Sequence, residues 1–85
     1  MKKIMDITKI HTWLTTQVAN TLNINFDEVD AGIPFERYGL ESADIVAIMA
    51  DLEDWLGCEI DDPTLMYEYP TIAELSEHLA ENYAV

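Results

Sequence analysis

The second half of this chain lacks lysine and arginine altogether. Its 85 residues carry 17 acidic and 4 basic side chains, for a formal net charge of −13, and the last of the four bases is Arg37. Nucleic acid is therefore a very poor partner, because its binding requires cations that neutralise phosphates. An acidic half of this kind instead attracts basic protein surfaces and speeds brief encounters with them.

Cysteine and long apolar runs are also scarce. The single cysteine, Cys58, cannot form an internal disulfide, and such a chain is typical of a reducing compartment. Asp6, Lys9 and His11 interrupt any apolar stretch that could follow Met1 in a signal peptide, and no run approaches the length of a membrane span. We expect a cytoplasmic chain with no membrane attachment.

Length and apolar content limit the possible architecture. A chain of 85 residues suits a single small domain over residues 1–85, and a hydrophobic content of 49% is enough for a compact core. No segment alternates with a period of two for long enough to indicate a strand. The sequence therefore predicts an all-α fold, a small four-helix bundle with three longer helices and one short helix.

Apolar residues at spacings of three and four predict the first two helices. The first is expected from about Asp6, its N-cap, to Leu22. The second is expected from Ser42 to about Leu56, and it ends at Gly57, a residue type that favours the position after a helix. The expected core positions are Ile7, Ile10, Leu14, Val18, Leu22, Ile45, Ile48, Met49, Leu52 and Leu56, with Trp13 and Trp55 beside them.

The remaining segments are delimited by prolines and capping residues. Pro63 and Pro70 leave room between them for only one or two short turns, and the last helix is expected to begin at Thr71 with Glu74 completing a capping box. The connection 22–40 is too long to be structureless in so small a domain, so we expect it to be anchored to the core. The expected anchors and the inward residues of the last helix are Phe26, Val29, Ile33 and Phe35, and Ile72, Leu75, Leu79 and Tyr83.

Ser42 is the most informative position in the chain. It follows Gly39 by three residues, lies between Glu41 and Asp44, and begins the acidic second helix. A hydroxyl at a helix N-terminus suits a covalently attached phosphate, which the backbone N–H groups and the helix dipole stabilise. The simpler interpretation is that Ser42 is only an N-cap, which stabilises a helix by about 1 kcal/mol relative to alanine.

The side of the second helix opposite its core positions is small and apolar. A turn of about 100° per residue brings together four of its residues on this side. They are Ala43, Val46, Ala47 and Ala50, and the acids around them are Asp44, Asp51, Glu53 and Asp54. Alanine is a good helix former, which is the simpler reason for its presence here. We favour a shallow docking surface for partner proteins.

Three short motifs resemble those of acyl carrier proteins of the polyketide-synthase type. They are Gly-Leu-Glu-Ser at 39–42, Leu-Glu-Asp-Trp-Leu-Gly at 52–57, and Pro-Thr-Leu at 63–65 with Tyr-Pro-Thr-Ile at 69–72. Each motif is weak alone, but their order and spacing are specific, and the resemblance spans about residues 4–80. It implies a four-helix carrier that catalyses nothing and whose Ser42 oxygen is esterified by 4′-phosphopantetheine from CoA.

The resemblance also implies the partners of such a carrier. A phosphopantetheinyl transferase, with CoA and Mg²⁺, would modify Ser42, because the chain supplies no evident base for the hydroxyl. The thiol of the arm would present acyl thioesters at high effective concentration to a ketosynthase or other enzymes that make polyketides, lipopeptides or other fatty-acid-derived products. A monomer is expected. The implied partner-recognition residues are Glu41, Ala43, Asp44, Val46, Ala47, Ala50, Asp51 and Asp54.

Two positions depart from the pattern that the family usually shows. Glu41 replaces an aspartate and keeps its charge, whereas Ala43 replaces a leucine and removes an exposed apolar contact. We therefore expect an altered partner preference and not a loss of function. The Gly-Leu-Glu sequence before Ser42 also argues against a peptidyl carrier, which more often has Gly-Gly followed by histidine or aspartate.

A narrower resemblance concerns the enzyme that loads the carrier. Residues 51–57, 63–65 and 69–72 are similar to those of carriers loaded by fatty-acyl-AMP ligases, which activate a free fatty acid as its adenylate. We expect such a ligase to acylate this carrier, with an acyltransferase as the alternative.

Other functions fit the sequence less well. Residues 51–62 are acid-rich, but Trp55 occupies the fifth position of what would be a calcium loop, and glycine comes one position too late. Residues 39–43 do not form the Gly-x-Ser-x-Gly of hydrolases. His11 and His78 have no partner at metal-ligand spacing, so we expect no metal site and no catalytic residue. The main alternative is a non-catalytic acidic interaction module with the carrier fold and no prosthetic group.

Overall fold

The computed structural model describes residues 6–57, 59–60 and 64–82. Within these ranges the chain forms four α-helices, α1 (Ile7–Leu22), α2 (Ser42–Leu56), α3 (Leu65–Glu68) and α4 (Ile72–Asn82). Short 3₁₀ turns, Phe26–Glu28 and Phe35–Tyr38, lie in the connection between α1 and α2. The predicted all-α arrangement of three longer helices and one short helix is confirmed.

Capping residues explain where the helices begin and end. Asp6 caps α1, since its Oδ1 accepts a hydrogen bond from the backbone N–H of Lys9 at 2.9 Å. Thr71 caps α4, since its hydroxyl oxygen accepts from the backbone N–H of Glu74 at 3.1 Å. Gly57 ends α2 with φ of 74°, in the left-handed region that glycine adopts without strain. All three of these ends were predicted from the sequence.

A single apolar core joins the four helices. In the described part of the chain, α1 and α4 form the most extensive helix–helix contact. The buried apolar side chains are Ile10, Leu14, Val18, Ala19, Phe35, Leu40, Ile45, Ile48, Leu52, Ile60, Leu65, Met66, Ile72, Leu75 and Leu79. At the edge of this core Trp13 and Trp55 stack, with ring centroids 5.1 Å apart and ring planes inclined by 15°.

Two of the expected core positions lie at the surface. Ile7 is 45% exposed because it is the first residue of α1, ahead of the first buried turn. Phe26 is 48% exposed because it lies in a 3₁₀ turn that buries none of its side chains, and Phe35, only 2% exposed, anchors the connection instead. The expectations for Pro63 and Tyr83 concern residues outside the described ranges.

The long connection between α1 and α2 is attached to the start of α4 by the backbone. The N–H of Phe35 donates to the carbonyl of Pro70 at 2.7 Å, and the N–H of Ala73 donates to the carbonyl of Ala31 at 3.1 Å. These two bonds join segments that are far apart in sequence, so they hold the connection against the bundle where it approaches α2.

A tyrosine side chain forms hydrogen bonds within the same connection. The hydroxyl of Tyr38 accepts a hydrogen bond from the backbone N–H of Asp30 at 2.7 Å and donates to the carbonyl of Asp30. The carboxylate of Asp30 in turn accepts from the N–H of Gly32 at 2.9 Å. The segment before α2 is therefore a closed loop with its own hydrogen bonds, as the predicted anchoring requires.

Candidate functional site

A tight turn carries the chain from the core to the start of α2. Gly39 has φ of 82°, and no atom beyond its chain neighbours lies within 4 Å of the point where a Cβ would stand. The backbone angle, and not a lack of space, is therefore what favours glycine here. Leu40 is buried, whereas Glu41 and Ser42 are exposed. The turn anchors one side chain in the core and presents the next two to solvent.

Glu41, not Ser42, is the N-cap of α2. The carbonyl of Glu41 accepts the first helical hydrogen bond, from the N–H of Ile45 at 3.0 Å, and Glu41 has extended backbone angles. Its own N–H donates to the Oδ2 of Asp44 at 3.0 Å. Ser42 is the first helical residue, and within the described ranges its hydroxyl makes no hydrogen bond. The interpretation of Ser42 as a simple cap is therefore wrong.

The surroundings of Ser42 suit a phosphate ester. Its Oγ is exposed and loses no hydrogen bond when it is modified. It lies in the first turn of a 15-residue helix, where backbone N–H groups have no helical acceptor and the dipole favours negative charge. Within the described ranges, no side chain that could act as a base forms a hydrogen bond with this hydroxyl.

A groove with a volume of about 250 Å³ opens beside Ser42. One wall is α2, and the other is formed by Tyr67 of α3 and by Ile60 from the connection between the two helices. The Oε2 of Glu53 accepts a hydrogen bond from the N–H of Ile60 at 2.9 Å, which ties this connection to α2. The lining residues are Ser42, Ile45, Val46, Met49, Ala50, Glu53, Ile60 and Tyr67.

The predicted partner-recognition residues lie on the solvent side of α2 and at its start. Seven of them are exposed, namely Glu41, Ala43, Val46, Ala47, Ala50, Asp51 and Asp54. Among the residues that the structure describes, Val46 is the most exposed large apolar side chain, at 67%. Asp44 is half-buried and accepts the hydrogen bond from Glu41. The expected exposure of the small apolar side is confirmed, and its role in binding partners stays a prediction.

Several residues of the groove were not predicted as site residues. Ile60 lines the groove where its N–H bonds to Glu53 of α2. Tyr67 lines it because α3 packs into the core through Leu65 and Met66, which are 1% and 2% exposed. Nothing in the local sequence relates Tyr67 to Ser42. Two apolar residues followed by a tyrosine in a short helix could have indicated that the tyrosine faces solvent, but not which groove it borders.

The other candidates for chemistry lie away from Ser42. His78 stacks on Tyr69, with ring centroids 4.0 Å apart, and His11 is half-buried on α1. Among the described residues, no group of three or more histidines, cysteines and carboxylates is arranged to hold a metal ion. In the same ranges, no helix is long and apolar enough to cross a bilayer.

The free hydroxyl at the start of α2 occurs in a chain that matches a known family over most of its length. Residues 12–79 match the family model of the phosphopantetheine attachment site. The chain belongs to this family. It is therefore a carrier with 4′-phosphopantetheine as its prosthetic group, and not an enzyme, as the sequence predicted. Members of the phosphopantetheine-attachment family work with a phosphopantetheinyl transferase and with the enzymes of their pathway.

A polyketide synthase is among the relatives of this carrier. Polyketide synthase PksM of Bacillus subtilis (strain 168) is 29% identical over 80 residues, which are 94% of this chain and 2% of PksM. The chain thus spans a very small part of the curated relative that it matches. The similarity concerns a carrier domain, and the reactions of the whole synthase do not follow from it.

Solved structures of other carriers have the same fold. An acyl carrier protein from Anabaena sp. PCC 7120 with a variant phosphopantetheinylation-site sequence is 35% identical, with a TM-score of 0.85 over 98% of this chain and 97% of that one. A free-standing peptidyl carrier protein from Acinetobacter baumannii is 33% identical, with a TM-score of 0.83 over 89% of this chain and 94% of that one. The fold therefore does not separate acyl from peptidyl carriers, and our preference for an acyl carrier stays a prediction.

Proposed function

We propose that Ser42 carries the 4′-phosphopantetheine and that this chain is an acyl carrier. The observation that supports this assignment is the contrast between the two serines of the chain. Ser42 is exposed, with a hydroxyl free of hydrogen bonds at the start of α2, whereas Ser76 is 0% exposed and lies within α4. Only the first of them can reach the active site of a modifying enzyme.

The role of the chain's own residues is to present one oxygen. On modification, the Oγ of Ser42 would form the ester bond to the phosphorus that carries the pantetheine part of CoA, and the pyrophosphate bond of CoA would break. The nucleotide part of CoA would leave as adenosine 3′,5′-bisphosphate, and the serine proton would pass to a base of the transferase. When bound, the prosthetic group supplies the thiol that holds an acyl chain as a thioester. Gly39 and Leu40 hold the turn in place, and Glu41 and Asp44 begin the helix, so that Ser42 is free for this purpose.

The acidic, small-residue side of α2 is our proposed surface for partner enzymes. Val46 and three alanines form a shallow apolar surface next to Ser42. Exposed carboxylates such as those of Asp51 and Asp54 border this surface. No lysine or arginine follows Arg37, so nothing later in the chain offsets this charge. Transferase, loading enzyme and ketosynthase are expected to approach with basic surfaces, because complementary charge raises the rate of encounter.

Intact mass spectrometry tests the attachment site. The wild-type chain, Ser42→Ala and the control Ser76→Ala are incubated with CoA, Mg²⁺ and a promiscuous phosphopantetheinyl transferase. We expect the wild type and Ser76→Ala to gain one phosphopantetheine and Ser42→Ala to gain none. Modification of Ser42→Ala would overturn the site. No gain by the wild type would leave an acidic interaction module that has the carrier fold but no prosthetic group.

A fatty-acyl-AMP ligase is our proposed loading enzyme. The support is the sequence of residues 51–57, 63–65 and 69–72, which resembles that of carriers loaded in this way. The holo protein is offered either to a cognate ligase with fatty acid and ATP or to a malonyl-transferring acyltransferase, and the acylated mass is measured. Acylation by the ligase is the expected result. Ready malonyl transfer without ligase acylation would show that an acyltransferase loads this carrier.

A further inference from the structure

Two half-buried tryptophans lie where α1 meets the last turn of α2. Trp13 and Trp55 stack with their ring centroids 5.1 Å apart. Both side chains pack against the edge of the core and keep part of their surface in solvent. Tryptophan is enriched among the residues that contribute most to binding between proteins. The pair therefore offers a partner protein a rigid aromatic surface.

An unpaired carboxylate lies beside this pair. Asp51 precedes Trp55 by four residues on α2, a spacing that makes their side chains neighbours, with Cβ atoms about 5–6 Å apart. Asp51 is exposed, and among the described residues its carboxylate has no hydrogen bond or ion pair. No lysine or arginine follows Arg37 in the sequence. The charge beside the tryptophans is therefore available to a cation of another protein.

An arginine side chain matches the aromatic pair and the carboxylate together. Its guanidinium is planar and stacks on aromatic rings, and the same group donates two parallel hydrogen bonds to a carboxylate. A lysine ammonium can satisfy the charge of Asp51, but it is a compact charge without a plane that stacks on a ring. The chemistry of the site thus favours arginine over lysine.

An enzyme that acts on Ser42 can also reach the tryptophans. Thirteen residue steps separate Ser42 from Trp55. They correspond to about 20 Å along the helix axis, at about 1.5 Å per residue. A standard interface covers about 800 Å² on each partner, which is a patch about 30 Å across. One enzyme can therefore hold the serine in its active site and contact both indole rings.

We propose that Trp13, Trp55 and Asp51 bind an arginine of the enzymes that approach α2. The inference rests on the proposed function, in which basic enzyme surfaces meet the acidic side of this helix. The guanidinium stacks on the solvent-facing part of the tryptophan pair and forms an ion pair with the Asp51 carboxylate. Exposed carboxylates alone attract any basic surface, whereas this site fixes how far along α2 an enzyme docks.

A peptide titration tests the chemistry of the occupant. The probes are capped peptides with a central arginine, lysine or citrulline between glycines, since citrulline has the shape of arginine without its charge. Each is added at low salt to the ¹⁵N-labelled protein. We expect the arginine peptide to shift both indole N–H signals and the Asp51 amide, and to bind about tenfold more tightly than the citrulline peptide. The lysine peptide should shift the Asp51 amide but not the indole signals.

Two results of this titration would overturn the proposal. One is equal affinity of the arginine and citrulline peptides. The other is an arginine peptide that shifts the exposed carboxylates of α4, Glu74, Glu77 and Glu81, as much as Asp51 and the indole signals, because its binding would then follow charge alone.

A substitution that preserves packing tests the role of Asp51. Asp51→Asn keeps the size of the side chain and removes no hydrogen bond found in the structure. It should lower the affinity of the arginine peptide to that of the citrulline peptide. The matched control is Glu77→Gln, which removes an exposed carboxylate beside the other stacked aromatic pair, Tyr69–His78, and should leave the affinity unchanged. Equal losses for the two variants would show that net charge, and not Asp51, attracts the arginine.

Transferase kinetics test whether an enzyme uses the site. Trp55→Leu removes the stacking surface but keeps an apolar side chain at the edge of the core, and Tyr69→Leu is the control that disrupts the other stacked pair. Backbone amide spectra first establish that both variants are folded. We expect Trp55→Leu to raise the KM for this protein about tenfold with kcat unchanged, because the ring contributes to docking and not to chemistry. Tyr69→Leu should leave both constants unchanged.

Equal KM values for wild type and Trp55→Leu would overturn the use of the site by the transferase. If Trp55→Leu does not fold, Asp51→Asn takes its place in the same assay, since it leaves the tryptophan pair intact. An unchanged KM for that variant would overturn the proposal in the same way.

The mass measurement separates this inference from the proposed function. If the wild type gains phosphopantetheine but neither substitution raises KM, attachment is correct and the arginine site is wrong. If the wild type gains no mass while the arginine peptide binds at the tryptophans, the proposed function fails and the arginine site belongs to an acidic interaction module.

Discussion

Ser42 is not the N-cap of α2, the role that serine commonly has at a helix start, because its acidic neighbours begin the helix. Glu41 provides the capping position, and Asp44 accepts the hydrogen bond from the Glu41 N–H. Modification of the serine hydroxyl would therefore remove no hydrogen bond that stabilises α2. At the scale of a single residue, the proposed attachment function and the stability of α2 depend on different side chains.

This separation predicts a small effect of Ser42→Ala on stability. We expect the free energy of unfolding to change by less than about 0.5 kcal/mol, because alanine is at least as good a helix former and no hydrogen bond is lost. Urea denaturation measures this value. The matched control is Thr71→Ala, which removes the cap of α4 and should cost about 1 kcal/mol. Equal losses for the two variants would show that Ser42 does stabilise α2.

The N-caps of α1 and α4 were predictable from the sequence and that of α2 was not, for a physical reason. Thr71 has a residue type that capping statistics favour, and it caps α4, since its hydroxyl oxygen accepts from the N–H of Glu74. The carboxylate of Glu74 accepts from the Thr71 hydroxyl at 3.3 Å, where the predicted capping box would have it accept from the Thr71 N–H. At α2 the favoured residue type, serine, directly follows an acid that can also cap. Which of two adjacent residues becomes helical depends on how Leu40 is buried, and that is a tertiary contact that local sequence does not contain.

Among the elements, the connection between α1 and α2 has the most unexpected structure. The sequence correctly predicts that it is anchored, because an unanchored loop of that length is unfavourable. It does not predict the means, since the bonds from Phe35 to Pro70 and from Ala73 to Ala31 form only when α4 is in place. The position of Tyr67 beside Ser42 was missed for the same reason.

Tyr38 is expected to stabilise this connection through its hydroxyl. Tyr38→Phe leaves the N–H and carbonyl of Asp30 without their partner and should lower the free energy of unfolding by about 0.5–1.5 kcal/mol. Tyr67→Phe is the control, because the Tyr67 hydroxyl makes no hydrogen bond in the described ranges and its loss should have little effect. Chemical denaturation of the two variants beside the wild type measures the difference. A Tyr38→Phe variant as stable as the wild type would contradict this account.

The acidic side of α2 should control the rate of reaction with partner enzymes. Asp51→Lys reverses an exposed charge on this side without removing a hydrogen bond found in the structure. We expect slower phosphopantetheinylation at low ionic strength and a smaller defect at high ionic strength, since salt screens exposed charges. Initial rates across a salt series measure this effect, with Glu81→Lys on α4 as the control for net charge. A defect that does not vary with salt would indicate altered packing instead.

At the scale of the whole molecule, charge opposes the fold. The formal net charge is −13, and the only basic residues among those described are Lys9 and Arg37. Carboxylates therefore repel one another over most of the surface, and compaction brings them closer. A chain of 85 residues has a small net free energy of unfolding, so this repulsion is large compared with that value.

Added salt should accordingly raise the Tm. Between about 0.01 M and 0.15 M salt the Debye length falls from about 30 Å to about 8 Å, and relief of about 1 kcal/mol of repulsion corresponds to about 4–8 °C. Circular dichroism melts measure the change. Sodium and potassium chloride should act alike because screening depends on ionic strength. A Tm that is independent of salt would show that surface repulsion does not limit stability.

The stacked pair Trp13–Trp55 has an optical consequence. These are the only two tryptophans, and they join α1 to the last turn of α2 with ring centroids 5.1 Å apart. Excited states of indoles at this separation interact, so the circular dichroism spectrum should contain an exciton couplet that disappears when the two helices part. The protein thus has an intrinsic chromophore pair for following helix separation during unfolding or partner binding, with no dye attached and no change to the surface around Ser42.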